Sequence, residues 1–242
     1  MTTTQGSPAP VALVTGGSRG FGRAVARALV ARGWRVVTDA RAPVALTEAF
    51  ADLPAGSVVA IAGDVATATH RGELATAIDR LGRLDLLLNS ASTLGPTPLP
   101  TLAQSPVDAL TDVFAVNVLA PLALIQDLLP HLADSGGVVV DVSSDAAVEA
   151  YEGWGGYGAS KAALDHLTAV LGVEESQVHW YAFDPGDMRT QMQQEAFPGE
   201  DINDRPLPES VVPALLRLVD DRPRNGRYRA AELLTRIAAG AA

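Results

Sequence analysis

The chain has 242 residues, a formal net charge of −10, 48% hydrophobic residues and no cysteine. That length suffices for one large α/β domain with a well-buried core, and the missing cysteine excludes disulfides, thiolate metal sites and a cysteine nucleophile. The acidic balance argues against nucleic-acid and anionic-membrane surfaces, and no stretch approaches the roughly 20 uninterrupted apolar residues of a membrane span, so a soluble cytoplasmic protein with neither kind of partner is expected.

Residues 1–10 are polar and lack the basic-then-apolar order of a secretory signal, which predicts a flexible N-terminal tail ahead of a single domain over residues 11–242. Val11–Val14 is a buried strand, and a glycine-rich turn follows it. Phe21–Arg32 has helical periodicity and ends at Gly33, a residue suited to closing a helix. Arg35–Thr38 and Val58–Ala62 are the next strands, His70–Leu81 is a helix closed by Gly82, and Leu84–Leu88 is a fourth strand.

A proline-rich link, Gly95–Pro106, leads into a long helical stretch from about Val107 to Leu132, with a break expected at Pro121. Val138–Val142 is a fifth strand, Tyr157–Leu171 a helix, Val178–Phe183 a sixth strand, Glu209–Val219 a helix and Arg227–Leu233 a last strand. Strands alternating with helices make βαβ units. The fold class is therefore α/β, a single doubly wound parallel sheet of the Rossmann type. Thr190–Pro208 is polar, acidic and punctuated by proline; lying after a strand end, it is expected to form a mobile lid.

The turn after the first strand reads Thr15-Gly16-Gly17-Ser18-Arg19-Gly20-Phe21-Gly22 and opens a helix. Glycine lets a pyrophosphate approach the backbone, and a helix start offers free N–H groups to an anion. The spacing Thr-Gly-x-x-x-Gly-x-Gly resembles the classical short-chain dehydrogenase/reductase family, and further matches follow in chain order. Asp64-Val65 resembles the pair that meets the adenine. Asn89-Ser90-Ala91-Ser92 resembles the motif after the fourth strand, with Ser90 and Ser92 in place of the usual Asn and Gly. Asn117, Ser144, Tyr157 and Lys161 match the catalytic tetrad. Pro185-Gly186, Met188 and Thr190 match the segment holding the nicotinamide end. The matches run from about Val11 to Thr190.

The residues suit that chemistry. Tyr157 and Lys161 stand four apart on one helix face. A free tyrosine, with a pKa near 10, stays protonated at neutral pH and so cannot serve as a base, and a neighbouring ammonium lowers that value. Tyr157 can then exchange a proton with a substrate oxygen. Ser144 can hydrogen-bond the same oxygen, with Ser143 beside it as the competing candidate. The resemblance implies that Asn117 holds a water in the proton path to Lys161. The histidines, His70, His131, His166 and His179, have no ligand spacing and read as surface or packing residues, so no metal is expected.

The cofactor implied is NADP(H) rather than NAD(H). An NAD enzyme places a carboxylate at the end of the second strand, and by family counting that position is Ala40, followed by Arg41. Asp39 falls one place early and points to the other face. Arg41 and Arg19 are the expected 2′-phosphate ligands. The expected function is reversible hydride transfer between a nicotinamide and a small-molecule carbonyl or secondary alcohol, in a homodimer or homotetramer. A non-catalytic NADP(H)-binding sensor and an NAD-dependent alcohol dehydrogenase on the same fold are the rival readings. An epimerase or dehydratase would need a C-terminal substrate domain for which there is no room.

Overall fold

A computed structural model of the chain describes residues 8–240. Most of the expected tail, residues 1–7, lies outside the described residues; Pro10 is already tied to the sheet, its carbonyl accepting from Arg35 N–H at 2.9 Å.

Seven parallel strands, β1 (Val11–Val14), β2 (Arg35–Ala40), β3 (Val58–Ala62), β4 (Leu86–Asn89), β5 (Val138–Val142), β6 (His179–Asp184) and β7 (Gly226–Arg229), form one sheet in the order β3-β2-β1-β4-β5-β6-β7. The order reverses beside β1, so the loops after β1 and β4 diverge and open a crevice at the C-terminal ends of the strands.

Successive strand residues point to opposite faces, and the core divides accordingly. Ala12, Val14, Leu86, Leu88, Tyr181 and Phe183 face α1 (Gly20–Ala31), and share a cluster with residues of α2 (Pro43–Glu48) and with Val211, Leu215 and Leu218 farther along. Val11, Leu13, Leu87, Val139 and Trp180 face Leu74 and Ile78 of α3 (Ala68–Leu81) and the helices that follow.

The long helical stretch is α4 (Val107–Phe114), one π-helical turn (Ala115–Leu119) and α5 (Ala120–Ser135). The helix runs on through the expected break at Pro121, and the irregularity is the π turn that ends two residues before it, where a proline that cannot donate to the preceding turn is accommodated. The combined run Val107–Ser135 is long and apolar enough to cross a membrane by length and composition. In the fold its Leu124, Leu128 and Leu132 are fully buried against the sheet.

The chain continues through α6 (Gly155–Glu174), α7 (Gln191–Ala196), α8 (Pro208–Asp221) and α9 (Ala230–Gly240). Strand β2 runs two residues past its expected end, since Asp39 and Ala40 pair with Ile61 and Ala62. The expected last strand stops at Arg229, where Ala230-Ala231-Glu232-Leu233-Leu234, good helix formers, turn into α9. Part of the expected lid is helical as α7, capped by the Thr190 hydroxyl, which accepts from Gln193 N–H at 3.2 Å.

Candidate active site

A cavity of about 1310 Å³ occupies the crevice. At one end is the glycine turn. Gly16 has φ +73°, and a Cβ there would meet the Ala91 backbone at 3.0 Å, so the turn and the β4 loop are in close contact. Thr15 Oγ1 accepts from Ser90 and Ala91 N–H, each at 3.0 Å, and fixes that loop.

Asp39 holds the turn from below. Its Oδ1 accepts from Gly16 N–H at 2.8 Å and its Oδ2 meets His70 Nε2 at 3.0 Å; both side chains are buried. That hydrogen bond to Asp39 raises the His70 pKa. Arg41, beyond the end of β2, is exposed and lines the cavity, as does Arg19, whose guanidinium meets Gln191 of α7. No side chain caps α1 and no acidic residue stands in its first turn. Free N–H groups with two arginines nearby form a fit for a dinucleotide phosphate.

At the other end are the candidate catalytic groups. Ser144 follows β5, donates to Asp145 Oδ1 at 3.0 Å and accepts from Ala146 N–H at 3.2 Å. A Cβ at Gly158 would lie 2.5 Å from the Ala146 carbonyl oxygen, so only glycine lets α6 approach this turn and set Tyr157 beside Ser144. Burial pushes the Tyr157 phenol above the ordinary tyrosine value. The Ser144 hydroxyl opposes the rise, Asp184 and Asp145 add to it, and the Ser92 hydroxyl opposes it.

Lys161 is buried, with Nζ donating to the Val142 carbonyl at 2.7 Å and lying 5.6 Å from the Tyr157 ring centre. Burial lowers its pKa to about 8, against the pull of Asp141 and Asp165. Asp141, wholly buried in β5, accepts from Asn89 Nδ2 and Thr168 Oγ1, each at 2.7 Å. Burial raises its pKa to about 6; Thr168, Asn89 and Lys161 oppose that rise.

All the residues singled out from sequence line this one cavity except Asn89 and Asn117. Asn89 lies beneath it, its amide nitrogen on Asp141. Asn117 sits in the π turn, fully buried. Its oxygen accepts from Ser92 Oγ and Thr93 N–H at 3.1 and 2.9 Å; its nitrogen donates to Thr93 O and Ser160 Oγ at 2.9 and 3.0 Å. These bonds fill its four side-chain hydrogen-bonding positions, so the Asn117 side chain joins the β4 loop to α6. Trp180 and Tyr181 are fully buried in the core, away from the cavity wall.

Sequence reasoning missed the residues behind the site. Arg227 of β7 donates to Asp165 Oδ2 at 3.0 Å, to Asp184 Oδ2 at 3.0 Å and to the Ser144 carbonyl at 2.8 Å. No local pattern announces partners 43 to 83 residues away. Asp141 did carry a signal, a lone carboxylate in the apolar run Val-Val-Val-Asp-Val.

Comparison with known proteins bears on this arrangement. A family model described as short chain dehydrogenase matches residues 10–201. Sepiapterin reductase of Rattus norvegicus is 36% identical over 200 residues, covering 76% of this chain and 76% of that protein. A short chain dehydrogenase from Shigella flexneri 2a, solved in complex with NADP, superposes with a TM-score of 0.85 at 30% identity, covering 92% of this chain and 97% of that one. Another, from Escherichia coli CFT073 in complex with NADPH, gives a TM-score of 0.82 at 29% identity, covering 91% and 96%.

Proposed function

Because the chain belongs to the short chain dehydrogenase family, we propose that this oxidoreductase transfers hydride between NADP(H) and a carbonyl or secondary alcohol, with Tyr157 as general acid and base. The observation that carries the proposal is the convergence of Ser144, Tyr157 and Lys161 on the cavity whose far end holds the glycine turn, Arg19 and Arg41. When bound there, the cofactor supplies or accepts the hydride.

In the reductive direction the substrate oxygen lies against the hydroxyls of Tyr157 and Ser144. As negative charge develops on it, Tyr157 gives up the proton that burial makes it keep in the resting site. The Lys161 ammonium, held against the Val142 carbonyl, stabilises the phenolate left behind. Asp141 favours the charged form of Lys161 from beneath. Ser144 turns its hydroxyl from Asp145 to the substrate oxygen. In the oxidative direction each proton step reverses.

NADP(H) is favoured over NAD(H) by the place of Asp39. Its carboxylate is spent on Gly16 and His70 under the turn, which leaves Ala40 and exposed Arg41 at the rim. Exposed Val107, Leu119, Val170 and Val173 on α4, the π turn and α6 support a homodimer or homotetramer, and the cysteine-free composition is compatible with the cytoplasmic location that completes the proposal. Oxidation of NADPH by a panel of small ketones and aldehydes tests the function. A protein that binds NADPH yet turns over no carbonyl would be a sensor instead.

A further inference from the structure

We propose that the substrate is an aryl carbonyl compound carrying a protonated amine one or two carbons from the reacting carbon, and that Asp145 selects the amine while Trp154 and Phe197 hold the ring. The inference rests on the reading of the site as that of a hydride-transferring oxidoreductase.

The two ends of the cavity differ in charge. Arg19 and Arg41 stand at the glycine turn. At the Tyr157 end the one basic residue on the wall is Lys161, which is 2% exposed and turned to the Val142 carbonyl behind the phenol. The carboxylates at this end are Asp145, Asp184, Asp187 and, on α4, the exposed Asp112. Asp184 is matched by Arg227, and Asp187 has Arg205 at 3.9 Å. Among the described residues Asp145 has no cationic partner within 4.0 Å. An anionic substrate would meet an uncompensated carboxylate beside the reacting carbon. The acidic residues of the lid segment, Glu195, Glu200, Asp201 and Asp204, do not line the cavity, and of the carboxylates that do, Asp145 is the one bonded to Ser144.

Asp145 is linked to the reaction by a hydrogen bond. Its Oδ1 accepts from Ser144 Oγ at 3.0 Å and from Ala146 N–H at 2.8 Å; its Oδ2 lies 3.0 Å from Tyr151 OH, whose single proton it shares with Glu149 Oε2 at 2.8 Å. When Ser144 turns its hydroxyl to a substrate oxygen, Oδ1 loses a donor. A substrate whose own N–H⁺ lies close to that oxygen returns one, and the returned bond is charge-assisted. Geometry sets the spacing: the substrate oxygen sits about 2.7 Å from Ser144 Oγ, so an ammonium reaching Asp145 is borne on the α or β carbon.

The remaining wall is aromatic and thioether. Trp154 lies edge-on to Tyr157 at 5.6 Å and is 5.9 Å from Phe197, with Met188 and Met192 alongside. Such walls take an aryl ring and favour a nearby cation over an anion.

The test compares three ketones with NADPH at slightly acid pH: phenacyl dimethylamine, which is cationic; its uncharged isostere isobutyl phenyl ketone; and the anion phenylglyoxylate. In parallel, calorimetry measures phenethylamine and phenylacetate binding to protein saturated with NADP⁺. We expect kcat/KM for the cationic ketone to exceed both others by about tenfold or more, and Asp145→Asn to shrink that ratio to within about threefold. Phenethylamine should bind more tightly than phenylacetate, again through Asp145. Equal or anion-favouring ratios in the wild-type protein overturn the proposal, and this reading stands even where the variant fails to fold. A preference unchanged in Asp145→Asn overturns it too. Turnover of all three ketones at similar rates refutes the selection and leaves the oxidoreductase reading intact. Asp145-dependent binding of phenethylamine without turnover of any ketone supports the selection and refutes the activity.

Discussion

Arg227 Nη2 stands 3.0 Å from Asp184 Oδ2 and 2.8 Å from the Ser144 carbonyl, so one guanidinium on the edge strand braces a candidate catalytic serine against the carboxylate preceding Pro185-Gly186. Its Nε holds Asp165, one turn beyond Lys161 on α6. Arg227→Gln would leave Asp165 without its cation and Asp184 with Arg229 alone, whose Nε stands 3.6 Å away. We expect the denaturant midpoint to fall by the equivalent of about 3 kcal/mol, the low end for a buried pair because Arg227 is 24% exposed. The Tyr157 phenol should rise further, since the Asp184 charge that raises it loses the nearer of its two counterions. The pH at which alcohol oxidation reaches half its plateau should then move upward. A role in folding alone would lower the midpoint and leave that pH in place.

Asp141 offers a trade between stability and activity. Its folded pKa of about 6 lies above the unfolded value of about 4. Its contribution to stability is therefore present below about pH 4, is lost as pH rises through about 6, and leaves a net cost at neutrality. Asp141→Asn should stabilise the protein by up to about 3 kcal/mol at neutral pH and by little below pH 4. The new amide can still accept from Asn89 and can donate to Thr168, whose hydroxyl already reaches the Leu164 carbonyl at 2.9 Å. Without the Asp141 charge, Lys161 should lose its proton below its present value of about 8. Carbonyl reduction should then decline at lower pH than in the parent. Denaturation at two pH values, with a kcat/KM profile, checks both halves.

Tyr157→Phe removes the transferable proton and little else. Turnover should fall by about 100- to 10,000-fold, with the NADPH dissociation constant within about twofold of the parent. The buried ring keeps its edge-on contact with Trp154 at 5.6 Å, so the melting temperature should hold. Undiminished turnover on any accepted substrate would exclude Tyr157 as the proton donor.

Arg41→Ala should raise the dissociation constant for NADPH by about tenfold or more, the loss of one charge-assisted bond of about 1.5–3 kcal/mol, and change NADH binding little. Calorimetry on the parent protein tests the same assignment without a variant, since equal affinity for NADH and NADPH would contradict it.

Residues 190–208 are expected to act as a lid. The Arg19–Gln191 contact joins α7 to the glycine turn, so a ligand that engages Arg19 acts on the lid directly. Hydrogen exchange over this segment should slow with cofactor and substrate bound. Equal protection in free and bound protein would count against closure.

The strands were legible because buried parallel strands leave apolar runs, and the site was legible because its motifs follow strand ends in a fixed order. What escaped was set by distance or by local competition. The Arg227 bonds reach partners 43 to 83 residues earlier in the chain. Pro121 announced an irregularity in the long helix, but not that it would be a π turn over Ala115–Leu119 rather than a break. Asn117 was recognised by its place in the pattern, yet its bonds to Thr93 and Ser160 depend on folded neighbours that no spacing encodes.

The position of β7 has a consequence for how the protein is made. Lys161 is synthesised about 66 residues before Arg227, an interval of about 3–13 s at ordinary elongation rates. During that time a nascent chain can hold the glycine turn and the Tyr157–Lys161 helix, while Asp165 and Asp184 have no guanidinium. The working site is thus completed from the last strand inward. A transcript cut short, or a chain nicked between Thr190 and β7, yields a fragment that keeps every motif named from the sequence and lacks the cation that makes them act together.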